Sequence, residues 1–284
     1  MPNPAWKGTL IDCAPSVRKS YPVTSELVGA RAPEAAGDLV GQSSLANNAG
    51  VALYYAGKWT DAVTEYRRSG ELSERAGDVV NTARSTNNEA EIVSDQGHLE
   101  EARRLLEDAL RVWRAASYPI GVALATSNLG RVAARSRRFD DAHGLLDQAA
   151  SAFREIGATS FVHENDARRL ECLVLEGRYA EALEVAGATL DDVRPLGATP
   201  LLAGLERLAG YAVVQSRQPL DAACARFDAS LAVGRELGAQ YEVALTLRAL
   251  ADTKCMDDPE AARRESEELL EQLGVASLAT PPLP

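Results

Sequence analysis

Three asparagines, Asn48, Asn88 and Asn128, recur at intervals of 40 residues and have the chemistry needed to hold a partner. An amide side chain carries a hydrogen-bond donor and an acceptor together, which suits the N–H and C=O groups of a peptide main chain. A structural explanation is also open, in which each amide bonds only to a neighbouring helix. The spacing alone does not decide between the two.

Charged and aromatic residues accompany these asparagines along the chain. Arginine and glutamate are interleaved in the segments that follow Asn48, and a tyrosine pair precedes them. We predict that the partner-binding surface comprises the asparagines together with Tyr55, Arg84, Glu91, Arg131, Arg135 and Arg168. The alternative is that the mixed charges only solvate a helix face.

Motifs for catalysis are missing from the sequence. It has neither a GxxxxGK[ST] phosphate-binding loop nor a GxSxG serine nucleophile, and no second histidine completes a zinc site beside His163. The three histidines fall at positions expected for loops or helix surfaces. We therefore predict no enzymatic activity, no metal and no cofactor.

The four cysteines, Cys13, Cys172, Cys224 and Cys255, are 159, 52 and 31 residues apart. This spacing fits neither a close-set zinc site nor a disulfide framework. Residues 1–25 also lack the pattern of a secretion signal. We therefore expect reduced thiols in a cytoplasmic protein, with the last three cysteines buried on helical apolar faces.

Composition excludes several classes of partner. The chain has 41 acidic and 30 basic side chains and a net charge of −11, whereas nucleic acids and anionic membranes attract clustered positive charge. No apolar stretch approaches the ~18–20 residues that span a bilayer. We expect a protein or peptide partner, with no nucleic acid and no membrane, and the sequence leaves self-association open.

The asparagine spacing is one sign of a 40-residue period that organises most of the chain. The large residues Trp59, Leu99, Phe139 and Tyr179 share it, and an alanine follows each of them three residues later. From Leu99, apolar side chains fall at offsets of 3, 7, 10, 11 and 14, which places them on one face of an α-helix. Each unit therefore predicts two helices of about 17 residues. Glycine ends most of them, with Ser117 and Arg137 in two of its places.

These units resemble the tetratricopeptide repeat. The resemblance rests on Asn48-Ala49-Gly50, Leu53, Gly57-Lys58-Trp59-Thr60-Asp61-Ala62 and Tyr66, and again on Asn128-Leu129-Gly130 with Phe139-Asp140-Asp141-Ala142. The period of 40 exceeds the usual ~34, so the helices are longer. The resemblance implies an all-α, right-handed superhelical solenoid of antiparallel helix pairs, with the repeated asparagines on its concave surface.

We expect three regions in the chain. Residues 1–40 are irregular and proline-rich, with room for a partial capping helix. Residues 41–274 form an array of five to six helical hairpins, and residues 275–284 form a proline-rich tail.

A solenoid without catalytic motifs offers a wide surface for binding. We predict a non-enzymatic protein–protein interaction module that binds a peptide or partner domain in its concave groove, with a regulatory or scaffolding role in bacterial signalling. An alternative comes from the segment GVALATSNLGRVAARSRRFDDA, which is more loosely similar to the C-terminal arrays of actinobacterial adenylate cyclase–ATPase regulators. That similarity implies a C-terminal sensor or regulatory fragment of a larger adenylate cyclase/ATPase or transcription regulator.

Overall fold

A computed structural model describes residues 38–284, which hold twelve α-helices and no strand. The helices are α1 (Leu39–Tyr55), α2 (Trp59–Arg75), α3 (Val79–Asp95), α4 (Leu99–Ala115), α5 (Pro119–Arg135), α6 (Phe139–Ile156), α7 (Thr159–Glu176), α8 (Tyr179–Val193), α9 (Pro200–Gln215), α10 (Leu220–Leu237), α11 (Gln240–Thr253) and α12 (Pro259–Gln272). A 3₁₀ turn at Arg194–Leu196 follows α8. Most of the predicted segment 1–40, with its capping helix, lies outside the described residues. None of the helices described is long and apolar enough to cross a membrane.

Consecutive helices pack in pairs, from α1 with α2 to α11 with α12, and each pair packs on the next. The first helices of successive pairs also contact one another along the series α3, α5, α7, α9 and α11. This arrangement confirms the predicted all-α solenoid of helix pairs. The faces of the first helices that meet inside the array are called the inner face below.

Alanine at the repeated position is what allows the pairs to pack closely. Ala62, Ala102, Ala142, Ala182 and Ala223 are all completely buried. A methyl side chain lets two helix backbones approach, and large side chains fill the spaces between the crossings. Those large side chains are also fully buried, among them Trp113, Phe153 and Phe227. The alanines that recur about every 40 residues therefore mark the positions at which helices cross.

The last hairpin returns to the first two. The rings of Trp59 on α2 and Tyr241 on α11 have centroids 5.0 Å apart, and both belong to a hydrophobic cluster with Leu270 and Leu273. The Tyr241 hydroxyl also donates to the main-chain oxygen of Asp95 at 3.4 Å. The six hairpins thus curve round until the two ends of the array meet.

Left-handed backbone conformations recur after the helices, whichever residue occupies the place. Gly77 has a φ of 73°, and the two residues that replace glycine in the period, Ser117 and Arg137, have φ values of 51° and 61°. A left-handed residue lets the main-chain N–H groups beyond a helix bond back to its last turn. The packing of the hairpins therefore imposes this conformation on side chains that do not favour it.

The prediction of reduced thiols is wrong for two cysteines. Cys224 on α10 and Cys255 after α11 form a disulfide across 31 residues, because α11 packs back along α10 and the Cα atoms of the two cysteines come within 5.1 Å. Sequence spacing does not reveal such a contact. The cytoplasmic prediction loses the support it took from reduced cysteines. Cys172 is free and buried as predicted, and burial raises the pKa of its thiol to about 12.

Exchanging residue types at two of the left-handed positions should move stability in opposite directions. Ser117→Gly relieves backbone strain at an exposed turn, so we expect the free energy of unfolding to rise by about 1 kcal/mol. Gly77→Ser introduces that strain where no atom lies within 4 Å of the added Cβ, so a similar loss is expected. Urea unfolding followed by circular dichroism measures both. A change of the same sign in the two variants would contradict the argument.

Reducing the disulfide should destabilise the array. Opening a loop of 31 residues increases the entropy of the unfolded chain, and we expect the free energy of unfolding to fall by about 3–4 kcal/mol. Urea curves recorded with and without dithiothreitol give the difference. A double variant, Cys224→Ser with Cys255→Ser, is the control and should not respond to the reductant. Identical curves for the native chain would show that the bond does not constrain the unfolded state.

Candidate functional site

The repeated asparagines bond from one hairpin to the next. Asn88 donates to Asn47 Oδ1 at 3.0 Å, and Asn128 donates to Asn87 Oδ1 at 3.1 Å and to Glu91 Oε1 at 2.8 Å. Both Nδ2 hydrogens of Asn128 are therefore used within the protein. The interval of 40 has a structural cause at these two positions, because it brings amides of successive first helices together. Asn48 is exposed on α1.

A buried carboxylate joins several inner helices. Asp95, with an exposed fraction of 1%, accepts from Arg131 at 3.1 Å, from Arg135 at 2.7 Å and from the Tyr54 hydroxyl at 3.2 Å. Glu171 on α7 accepts from the Nε atoms of the same arginines at 2.9 Å and 2.8 Å. We call these five side chains the Asp95–Glu171 network. It links α1, α3, α5 and α7.

The charges of this network hold one another in the ionised form. Burial alone would raise the pKa of Glu171, but Arg135 and Arg131 outweigh it and hold that pKa well below its usual range. Its folded-state pKa is thus below its unfolded value, and the resulting stability is present above about pH 4 and is lost as the pH falls further. For Tyr54 the balance is opposite, since burial and then Asp95 raise the pKa of its hydroxyl.

The remaining predicted residues occupy three different surroundings. Arg168 binds Glu91 at 3.2 Å and the Ser127 hydroxyl at 3.2 Å, which joins it to the bonds of Asn128. Arg84 reaches the Tyr118 hydroxyl at 3.3 Å near the start of α5. Tyr55 is exposed on α1, with its ring centroid 5.2 Å from that of Tyr54. The structure thus brings Glu91, Asn128 and Arg168 into one hydrogen-bonded group. Arg131 and Arg135 belong to another, the Asp95–Glu171 network. The predicted residues Asn48, Tyr55 and Arg84 belong to neither group.

A cavity opens beside the Asp95–Glu171 network. Arg135 and Glu171 form one side, while α9 and α11 supply the other side through Arg207, Tyr211, Tyr241, Arg248 and Asp252. Arg207 binds Glu242 at 2.9 Å, and its Nε atom is buried without a hydrogen-bond partner in the described structure. A buried donor of this kind is uncommon in folded proteins. Burial would lower the pKa of Arg207, but Glu242 reverses this effect and raises it.

The segment 275–284 closes one side of this cavity. It has no helix, and it crosses the C-terminal ends of the inner helices at Gln96, Arg137, Gly177 and Gln215, which we call the inner rim. Its bonds to the rim are Ala276 N–H to Gln96 O at 2.9 Å, Ser277 Oγ to Gly97 O at 3.4 Å, Arg137 Nη2 to Thr280 O at 2.5 Å and Gln215 Nε2 to Pro282 O at 3.0 Å. Most of these bonds engage the main chain of the segment.

Sequence reasoning missed the residues of α9 and the position of the segment. Arg207, Tyr211 and Gln215 follow one another at intervals of four residues and so lie on one face of a mostly apolar helix. Polar side chains at that spacing were a usable signal. The contacts of the segment with the rim had no local signal, because the two are separated by up to 180 residues.

One cluster contains side chains that can ligate a metal. His143 Nε2 is 2.7 Å from Glu176 Oε2 and 3.8 Å from Cys172 Sγ. The Arg178 guanidinium also lies 3.1 Å from His143 Nε2, where a cation would have to bind. As it stands, the cluster is a hydrogen-bonded group. Within residues 38–284, no other three histidine, cysteine, aspartate or glutamate side chains bring their ligand atoms this close together.

Comparison with known proteins agrees with the repeat structure. Residues 41–115, from α1 to α4, match the model of the tetratricopeptide repeat family. Among solved structures, the Rap conjugation gene regulator of the plasmid pLS20, in complex with the Phr* peptide, superimposes with a TM-score of 0.68 at 11% identity. The match covers 82% of this chain but only 64% of that regulator. No curated protein matches the sequence.

Residues 41–115 thus match the tetratricopeptide repeat family, and the later helix pairs continue the same all-α fold with long helices, in agreement with the predicted resemblance. At 11% identity the likeness to the regulator concerns the fold alone. The looser similarity to cyclase–ATPase regulators stays a prediction.

Removing the central carboxylate should destabilise the array. Asp95→Asn leaves Arg131 and Arg135 with less negative charge in a buried site, and we expect the free energy of unfolding to fall by about 3 kcal/mol. Asp108→Asn is the matched control, since its pair with Arg111 is exposed and should contribute less than about 0.5 kcal/mol. Urea unfolding of the two variants provides the comparison. A loss at Asp95 as small as that at Asp108 would mean that the network does not hold the inner helices together.

Proposed function

We propose that this protein is a non-enzymatic interaction module that binds an extended peptide, or an extended segment of a partner protein, at the cavity of its inner face. We assign it a regulatory or scaffolding role in bacterial signalling. A solenoid of helix pairs supports this proposal because its wide surface can engage a partner without chemistry of its own. The regulator that shares the fold is described as bound to a peptide. A cytoplasmic location stays a prediction.

The observation that carries the proposal is that Arg207 lines the cavity and that its buried Nε–H has no acceptor among the described residues. Leaving such a donor unsatisfied costs about 1–3 kcal/mol, so an acceptor arriving from outside regains that energy. Peptide carbonyl groups and carboxylates are acceptors of the required kind. Arg248 and Asp252 beside Arg207 supply both signs of charge for the side chains of a ligand.

The geometry divides the predicted surface into two roles. Of its residues, Arg135 lines the cavity, and we assign it contact with the ligand in addition to its bonds to Asp95 and Glu171. Glu91, Asn128, Arg131 and Arg168 are committed to bonds within the protein, and we assign them the positioning of the inner helices. Contacts of Asn48, Tyr55, Arg84 and Asn88 with a partner stay predictions.

Selection from a displayed library of random short peptides tests the proposal. We expect the native chain to select peptides that bind Arg207→Lys about tenfold more weakly, because lysine keeps the charge but loses the Nε–H of the guanidinium. Arg104→Lys, on the exposed side of α4, is the matched control and should bind the selected peptides unchanged. Affinities follow from fluorescence anisotropy of the labelled peptides. Failure to select any peptide, or equal binding to the two variants, would remove the cavity as the binding site.

A further inference from the structure

The segment 275–284 lies on the inner rim in the way that a peptide ligand would. It is held mainly through its main chain, with carbonyl groups facing Arg137 and Gln215 and an N–H facing the carbonyl of Gln96. Main-chain bonds of this kind do not depend on the sequence of the bound segment. Another extended chain could therefore make the same bonds.

Gln215 is the rim residue whose bonding is incomplete. Its side-chain NH₂ group donates to Val174 O at 2.8 Å and to Pro282 O at 3.0 Å, and these two acceptors fix the orientation of the amide. Its Oε1 atom is buried and has no donor in the described part of the chain. An amide that binds a peptide carbonyl through NH₂ has its oxygen free to accept a peptide N–H.

Proline at position 282 cannot supply the donor that this oxygen lacks. In an extended chain the N–H and C=O groups of one residue point to the same neighbour, as they do between paired strands. Pro282 offers Gln215 a carbonyl but has no N–H. Any other amino acid at this position would present the missing donor next to the carbonyl that Gln215 already binds.

The side chains of the segment are buried only in part. Pro282 and Leu283 are exposed, while Val275 and Leu278 pack against the cluster that joins the first and last hairpins and Ala279 packs against a second cluster. A partly exposed segment held by few bonds detaches at low energetic cost. The occupant of the rim is thus one that a better-matched chain can replace.

We propose that the inner rim, from Gln96 to Gln215, is a binding site for an extended peptide and that segment 275–284 occupies this site as an internal competitor. Gln215 favours a ligand that has a main-chain N–H at the position of Pro282. This proposal rests on the proposed function and specifies its ligand and regulation. An incoming peptide displaces the segment, and its added N–H satisfies Gln215 where the proline does not.

Two synthetic peptides test the recognition by Gln215 in the full chain. One has the sequence of the segment, VASLATPPLP, and the other carries Pro282→Ala, giving VASLATPALP. We expect the alanine peptide to bind about fivefold more tightly, as the gain of one hydrogen bond predicts. In Gln215→Ala the two peptides should bind equally. Equal affinities for the native chain, or a preference that persists in Gln215→Ala, would overturn this recognition.

Substitutions that weaken the attachment of segment 275–284 test whether it competes with a peptide, and they leave the residues of the rim unaltered. In a chain carrying Leu278→Gly and Leu283→Gly, we expect both peptides to bind about tenfold more tightly than to the native chain, because the internal competitor occupies the site less often. Leu196→Gly, at an exposed leucine outside the rim, is the control and should leave the affinities unchanged. Unchanged thermal unfolding confirms that the variants fold. Binding that is absent from the loosened chain, or no tighter than to the native chain, would show that the segment is a fixed strap.

The outcome separates this proposal from the proposed function. If library peptides bind in a manner that depends on Arg207 but the segment peptides do not bind the loosened chain, only the competition proposal fails. If the segment peptides behave as expected and the library yields no ligand, the rim accepts its own segment and the proposed function fails.

Discussion

The exclusion of water from the inner face is the constraint on which the rest of this structure depends. Buried polar groups must find partners within the protein, because the cost of an unpaired one is comparable to a large part of a domain's net stability. Asp95 meets this requirement by binding two arginines and a tyrosine from other helices. Asn128 meets it by bonding to the preceding hairpin. The polar pattern of the first helices is thus set largely by contacts between hairpins.

The same constraint explains which features the sequence could predict. The helix pairs and the buried alanines follow from contacts that recur in every unit, so a period of 40 residues reports them. Even the left-handed turns at Ser117 and Arg137 fit this period although neither residue is glycine. Contacts formed only once leave no such trace. The Cys224–Cys255 disulfide is one of them, and the packing of Trp59 on Tyr241 is another.

The candidate site was predictable only in part, for a related reason. The period identified the polar residues of the first helices, but residue type does not reveal whether an asparagine or arginine binds a ligand or a neighbouring helix. The structure distinguishes ligand binding from bonding to a neighbouring helix, because it shows which polar groups already have hydrogen-bond partners. Arg207 Nε and Gln215 Oε1, both on α9, have none. Asn88 Oδ1 is also buried without a partner, and nothing in the structure explains it.

Closure of the array bears on where a ligand can bind. An open solenoid can widen its groove by bending, but here Trp59 and Tyr241 hold the first hairpin against the last. Widening the interior would break that contact together with the Asp95–Glu171 network, whose buried charges tolerate little separation. The exchange proposed at the rim requires no such rearrangement of helices, since the segment across it belongs to none of them. Of the two residues of α9 that carry unsatisfied groups, Arg207 lines the cavity and Gln215 binds the segment that closes it. The position of these groups and the rigidity of the closed array therefore favour the same region of the protein.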